Sequence, residues 1–79
     1  METAPLIKML NDIGTFYETM PDHSIAVADM AGHIRAFWEP RMRESIARYL
    51  QHYPDGQSPE GQINDFALKA FNYLLKNLS

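Results

Sequence analysis

Apolar residues recur every three or four positions along most of the chain, and proline- or glycine-containing breaks interrupt the pattern three times. Such spacing puts side chains on one face of a helix. The first helix is expected from about Pro5 to Thr19, with Leu6, Met9, Leu10, Ile13, Phe16, Tyr17 and Met20 as its apolar face. Thr3 is placed to cap it, and Pro5 falls in the first turn, where a missing N–H leaves no bond unmade. Met20-Pro21-Asp22 ends it, because proline disfavours helical geometry in the residue before it.

A second helix is expected from about Ser24 to Trp38, capped by Asp22 or Ser24. Val27, Met30, Ala31, Ile34, Phe37 and Trp38 repeat the first stripe at an offset of 21 residues, and both stripes finish in an aromatic pair. Two helices meeting the same packing demand predict a helical hairpin. Ile25, Ala28, Gly32 and Ala36 form another, smaller stripe on this helix, which predicts that it is sandwiched by its own chain or by a partner. Glu39-Pro40 starts a third helix with proline at its first position. Met42, Ile46, Tyr49, Leu50 and Tyr53 are its apolar face. Pro54-Asp55-Gly56 signals a turn, and Ser58-Pro59-Glu60 reads as cap, first-turn proline and first-turn acid of a fourth helix. Ile63, Phe66, Ala67, Ala70, Phe71, Leu74 and Leu78 would line that helix, with Leu68 and Leu75 widening the stripe. No alternating strand pattern competes. The pattern predicts an all-α fold, a small bundle of about four helices in one domain over 1–79. Within it, 5–53 form the helical core, 54–59 the turn and 60–79 the last helix.

Composition narrows what such a bundle does. A chain of 79 residues buries a small core, so proteins of this size often lean on disulfides, metals or partners. Cysteine is absent, which removes disulfides and thiolate metal sites and fits a reducing, cytoplasmic setting. Met1 to Leu10 lack the basic start and long apolar run of a secretory leader, and no apolar stretch approaches the roughly 20 residues that span a bilayer. Neither a leader nor a membrane span is expected. The net charge is −3, unevenly spread: between 35 and 48, four arginines against Glu39 and Glu44 leave +2. Elsewhere three lysines against eight acids leave −5. A globally acidic chain is a poor nucleic-acid ligand, whereas a local arginine cluster suits carboxylates or phosphates on a partner protein.

Catalytic patterns are missing. There is no nucleophile elbow, phosphate-binding loop or dinucleotide fingerprint. His23, His33 and His52 have no second histidine at the spacing a helical zinc pair needs. Asp29 and His33, four apart, suit a surface contact better than a ligand set. No catalytic, metal or cofactor site is expected, so the chain reads as a binder rather than an enzyme. The richest segment is His33-Ile34-Arg35-Ala36-Phe37-Trp38-Glu39-Pro40-Arg41-Met42-Arg43, with the only tryptophan and three of the four arginines. Tryptophan, arginine and methionine are enriched at protein interfaces. Arg41 and Arg43 stand in the first turn of a helix, where the dipole favours negative charge. Glu39–Arg43 and Glu44–Arg48 pairs at i,i+4 would offset this. The candidate partner-binding residues are therefore His33, Arg35, Phe37, Trp38, Pro40, Arg41, Met42 and Arg43, although periodicity places at least one of Phe37 and Trp38 in the core.

At this segment the sequence resembles a known family. Leu6-Ile7-Lys8-Met9, Asn11-Asp12-Ile13-Gly14, Phe16-Tyr17, Met20-Pro21-Asp22 and the 33–43 segment are together similar to the delta subunit of soluble NAD-dependent formate dehydrogenases. The likeness covers roughly 6–50, continues weakly through Asp55-Gly56 and Ser58-Pro59, and is not followed past Gly61. It implies a cytoplasmic, non-catalytic accessory subunit, without a cofactor of its own. Its partner would be the large alpha subunit, which holds the molybdenum or tungsten pterin and iron–sulfur clusters. The implied role is in that subunit's assembly, cofactor loading or stability. Two other readings remain open from the residues: a self-associating helical homo-oligomer, a homodimer when isolated, with an unknown protein partner, and a DNA-binding regulator reading through 35–48.

Overall fold

The computed structural model describes residues 2–77. They form α1 (Thr3–Tyr17), α2 (His23–Phe37), α3 (Pro40–His52), a hairpin of β1 (Gln57–Ser58) and β2 (Gly61–Gln62), and α4 (Asp65–Asn77). The fold is the expected small all-α bundle. α1 and α2 follow each other and pack together, α4 lies across both with its most extensive contact on α2, and α3 packs on α1. Leu6, Leu10, Met30, Ile34, Ile46, Ile63 and Phe71 are its largest fully buried side chains.

Local chemistry sets the helix ends. The Ile25 N–H donates to the Asp22 carboxylate at 3.0 Å, so Asp22 caps α2. Pro40 opens α3 as its spacing predicts. Thr3, expected as a cap, is instead the first residue of α1, and Glu2 precedes it without a side-chain cap bond. The larger difference is at α4. Ser58-Pro59-Glu60 does not cap a helix; it turns an antiparallel hairpin in which Gln57 faces Gln62 and Ser58 faces Gly61. Glu60 N–H donates to Ser58 Oγ at 3.2 Å, so the hydroxyl is used inside the turn. Gly56, with φ of 72°, provides the left-handed residue that lets the chain double back. The Tyr49 hydroxyl lies against Gly56 O, Ser58 Oγ and Gly61 O at 3.3, 2.8 and 3.1 Å and pins the hairpin to α3.

α4 therefore starts later, where Asn64 Oδ1 accepts the Ala67 N–H at 2.8 Å. Asn11 on α1 holds that start: its Oδ1 accepts the Asn64 N–H at 2.8 Å and its Nδ2 donates to Gln62 O at 2.7 Å. Three residues on, Gly14 lets α1 and α4 touch, because a Cβ there would lie 3.0 Å from the Ala67 Cβ. Ile63 is buried but precedes the helix, and Leu78, assigned by its spacing to the α4 stripe, lies outside the described residues.

Candidate docking surfaces

The core face of α1 is rotated from the one the spacing suggests. Leu6, Ile7, Leu10 and Gly14 are buried, whereas Met9 and Phe16 face solvent. With Ile7 and Gly14 included, the centre of the stripe turns away from Phe16 by roughly a fifth of a revolution at 100° per residue. α2 divides its aromatic pair in the same way. Trp38 turns inward on extended backbone at the end of the helix, is 6% exposed, and lies against Phe71 with ring centroids 6.5 Å apart. Trp38 is therefore a core residue, against its assignment to a docking surface. Phe37 points out and is 74% exposed; Phe16 is 67% exposed.

These two phenylalanines belong to one aromatic strip. Phe16 meets Tyr17 edge-on at 5.2 Å, Tyr17 faces His33 at 6.0 Å, and His33 lies over Phe37 at 4.8 Å. The strip crosses from α1 to α2, with Tyr17 and His33 half-buried between the exposed outer rings. Aromatic residues exposed in a connected patch mark surfaces that bind. The spacing puts Phe16 and Tyr17 together on the apolar face of α1, yet only Tyr17 packs against the core. The signal was in the adjacency of each aromatic pair: neighbours 100° apart cannot both face one narrow core.

The remaining candidates scatter. Arg35 lies on the opposite side of α2, beside a shallow groove shared with Tyr73 and Asn77 of α4. Arg41 is exposed and its Nη2 meets Glu39 Oε2 at 3.5 Å, a solvated pair of small energetic value. Glu39 thus serves Arg41 and not Arg43, and the described residues form no Glu44–Arg48 pair. Met42 is half-buried against the core. Pro40 and Arg43 line a depression between α3 and α4, with Glu44, Ala47 and Leu75. The Arg43 Nε is shielded from solvent and has no hydrogen-bond acceptor. A buried donor left so costs on the order of 1–3 kcal/mol. The 33–43 segment is thus not one surface. It contributes to an aromatic strip, an exposed corner and a groove.

α2 is not sandwiched within its own chain. Ala28 is half-buried, while Ile25, Gly32 and Ala36 are exposed. Among the described residues, no group of three or more histidines and acids is arranged to hold a metal ion, and no helix is long and apolar enough to cross a membrane.

Against known proteins, residues 5–70 match the family model described as NADH-dependent formate dehydrogenase delta subunit FdsD. The match runs beyond the stretch where the sequence resemblance was followed, through the hairpin and into α4. No curated protein and no solved structure matches the chain.

Proposed function

The chain belongs to the NADH-dependent formate dehydrogenase delta-subunit family, and from that premise we propose that it is a non-catalytic accessory protein, binding the molybdopterin-containing alpha subunit in the cytoplasm and supporting its assembly, cofactor loading or stability. The observation that carries this reading is the aromatic strip. A small protein that leaves Phe16 and Phe37 largely in water, in line with Tyr17 and His33, keeps apolar area for a partner. Arg41, exposed at the adjacent α2–α3 corner, adds a charge that steers association more than it adds affinity.

The test is co-expression of the tagged chain with a formate dehydrogenase alpha subunit. Wild-type chain is expected to co-purify with that subunit and to raise the yield of cofactor-loaded enzyme. Phe16→Ser with Phe37→Ser should abolish both, with helical circular dichroism of the isolated chain unchanged, since neither ring is in the core. A double variant that co-purifies like wild type overturns the assignment of the strip. A wild-type chain that forms only a dimer with itself and never meets the alpha subunit supports the homo-oligomer reading.

A further inference from the structure

Asp29 stands in line with the aromatic strip and has no counter-charge. With His33 and Phe37 it marks every fourth residue of α2, so the three side chains follow one another along the helix surface in steps of about 6 Å. It is exposed and, among the described residues, makes no ion pair or hydrogen bond. The positions three and four residues away hold Ile25, Ala26, Gly32 and His33, so no lysine or arginine of α2 reaches it. His33 is turned to Phe37 and Tyr17 instead. Arg41, at the α2–α3 corner, meets Glu39, and Arg35 lies on the far side of α2. Gly32 leaves the approach to the carboxylate open, since nothing from the rest of the chain comes within 4 Å of where its Cβ would stand.

An unpaired carboxylate at the end of a row of rings is complementary to one kind of side chain. A guanidinium is planar and weakly hydrated; it stacks on aromatic faces and binds a carboxylate in two-point fashion, while its stem covers apolar surface. An ammonium is a strongly hydrated point charge and matches this combination less well. We propose that the strip seats an arginine of the alpha subunit, its stem along the Phe37 and His33 rings and its guanidinium on Asp29. The inference rests on the reading that the chain binds that subunit, and names the side chain the strip receives there. The rings supply apolar area, and the carboxylate fixes the register in which the partner lies on them.

The experiment measures binding of the labelled chain to the alpha subunit at low and at high salt. Asp29→Asn should bind roughly ten- to a hundredfold more weakly, the loss of a hydrogen bond to a charged group, and with a shallower salt dependence than wild type. Asp29→Glu, which keeps the charge, should bind close to wild type. Both should keep the helical circular dichroism and melting of the isolated wild-type chain, because Asp29 is exposed and unpaired. A photo-reactive benzoylphenylalanine at Phe37 should cross-link to an alpha-subunit segment that holds an arginine. Exchanging that arginine for aspartate should weaken binding, and Asp29→Arg should restore it. If Asp29→Asn binds like wild type while Phe16→Ser with Phe37→Ser does not bind, the arginine is overturned and the subunit reading stands. A wild-type chain that does not bind the alpha subunit overturns both. A cross-linked segment without an arginine, or a charge exchange without rescue, overturns the proposed occupant. An Asp29→Asn chain that melts well below wild type makes the carboxylate a structural group, which overturns the proposal as well.

Discussion

At the scale of single residues, the glycines separate what the fold requires from what it leaves open. Gly14 is needed, because a methyl there would press on the Ala67 Cβ at 3.0 Å, where α1 crosses α4. Gly32 has no neighbour within 4 Å of where a Cβ would stand and occupies the middle of α2. A helical glycine costs about 1 kcal/mol relative to alanine, so Gly32→Ala should stabilise the isolated protein by about that amount. Gly14→Ala should destabilise it by about 1–3 kcal/mol through overpacking. Urea unfolding midpoints check both, and a Gly14→Ala protein as stable as wild type would show that the two helices part easily. The role of Gly14 is not legible in the sequence, and Gly32 stands there in a small-residue stripe that predicts a close neighbour, which the structure does not place against it. The aromatic pairs were half legible: spacing identified all four rings as important, but which of each pair turns inward depends on Ile7 in α1 and on the extended backbone at Trp38.

At the scale of elements, the helices were readable because their boundaries depend on local chemistry, such as the Asp22 cap and Pro40 at the start of α3. The hairpin was not, because it depends on distant partners. Ser58-Pro59-Glu60 carries the residue types of a helix start, but the Tyr49 hydroxyl, nine positions from Ser58, gathers the turn onto α3. The α4 start was hidden for the same reason: Asn64 caps it, and Asn11, 53 residues earlier, holds Asn64 in place. This argues that Asn64, not Ser58, sets the end of the helix. Asn64→Ala should lose the cap and the weak Nδ2 donation to Asn11 O at 3.4 Å, while its backbone N–H keeps the bond to Asn11 Oδ1, costing about 1–2 kcal/mol by the usual value of such caps. Hydrogen exchange should show the loss concentrated in the first turn of α4, at Ala67 and Leu68. Unchanged protection at those amides would move the cap elsewhere. The docking segment was legible as a composition but not as a surface, since Trp38, Phe37 and Arg43 are sent by the α2–α3 corner to the core, the strip and the groove.

At the scale of the whole molecule, a 79-residue chain without disulfides has a small core and leaves Phe16 and Phe37 largely in water. Its folded state therefore has little stability to spare, and a partner that binds only the folded form adds to it by mass action. With the alpha subunit at about one hundred times its dissociation constant, that addition is roughly 2.7 kcal/mol. For a domain of this size each kcal/mol moves the thermal midpoint by about 4–8 °C, so the complex should melt on the order of 10–20 °C above the isolated chain. The Phe16→Ser, Phe37→Ser variant separates this linkage from intrinsic stability. Alone, it should melt within a few degrees of wild type, because exposed substitutions away from the core change stability by about 0.5 kcal/mol or less. Mixed with the alpha subunit, it should keep little of the upward shift. Labelled chain followed by fluorescence through the melt would report its own transition and not that of the larger partner. A variant that melts far below wild type when alone would place Phe16 or Phe37 in the core after all. One that keeps the whole shift in the mixture would show that the alpha subunit stabilises the chain through some other surface.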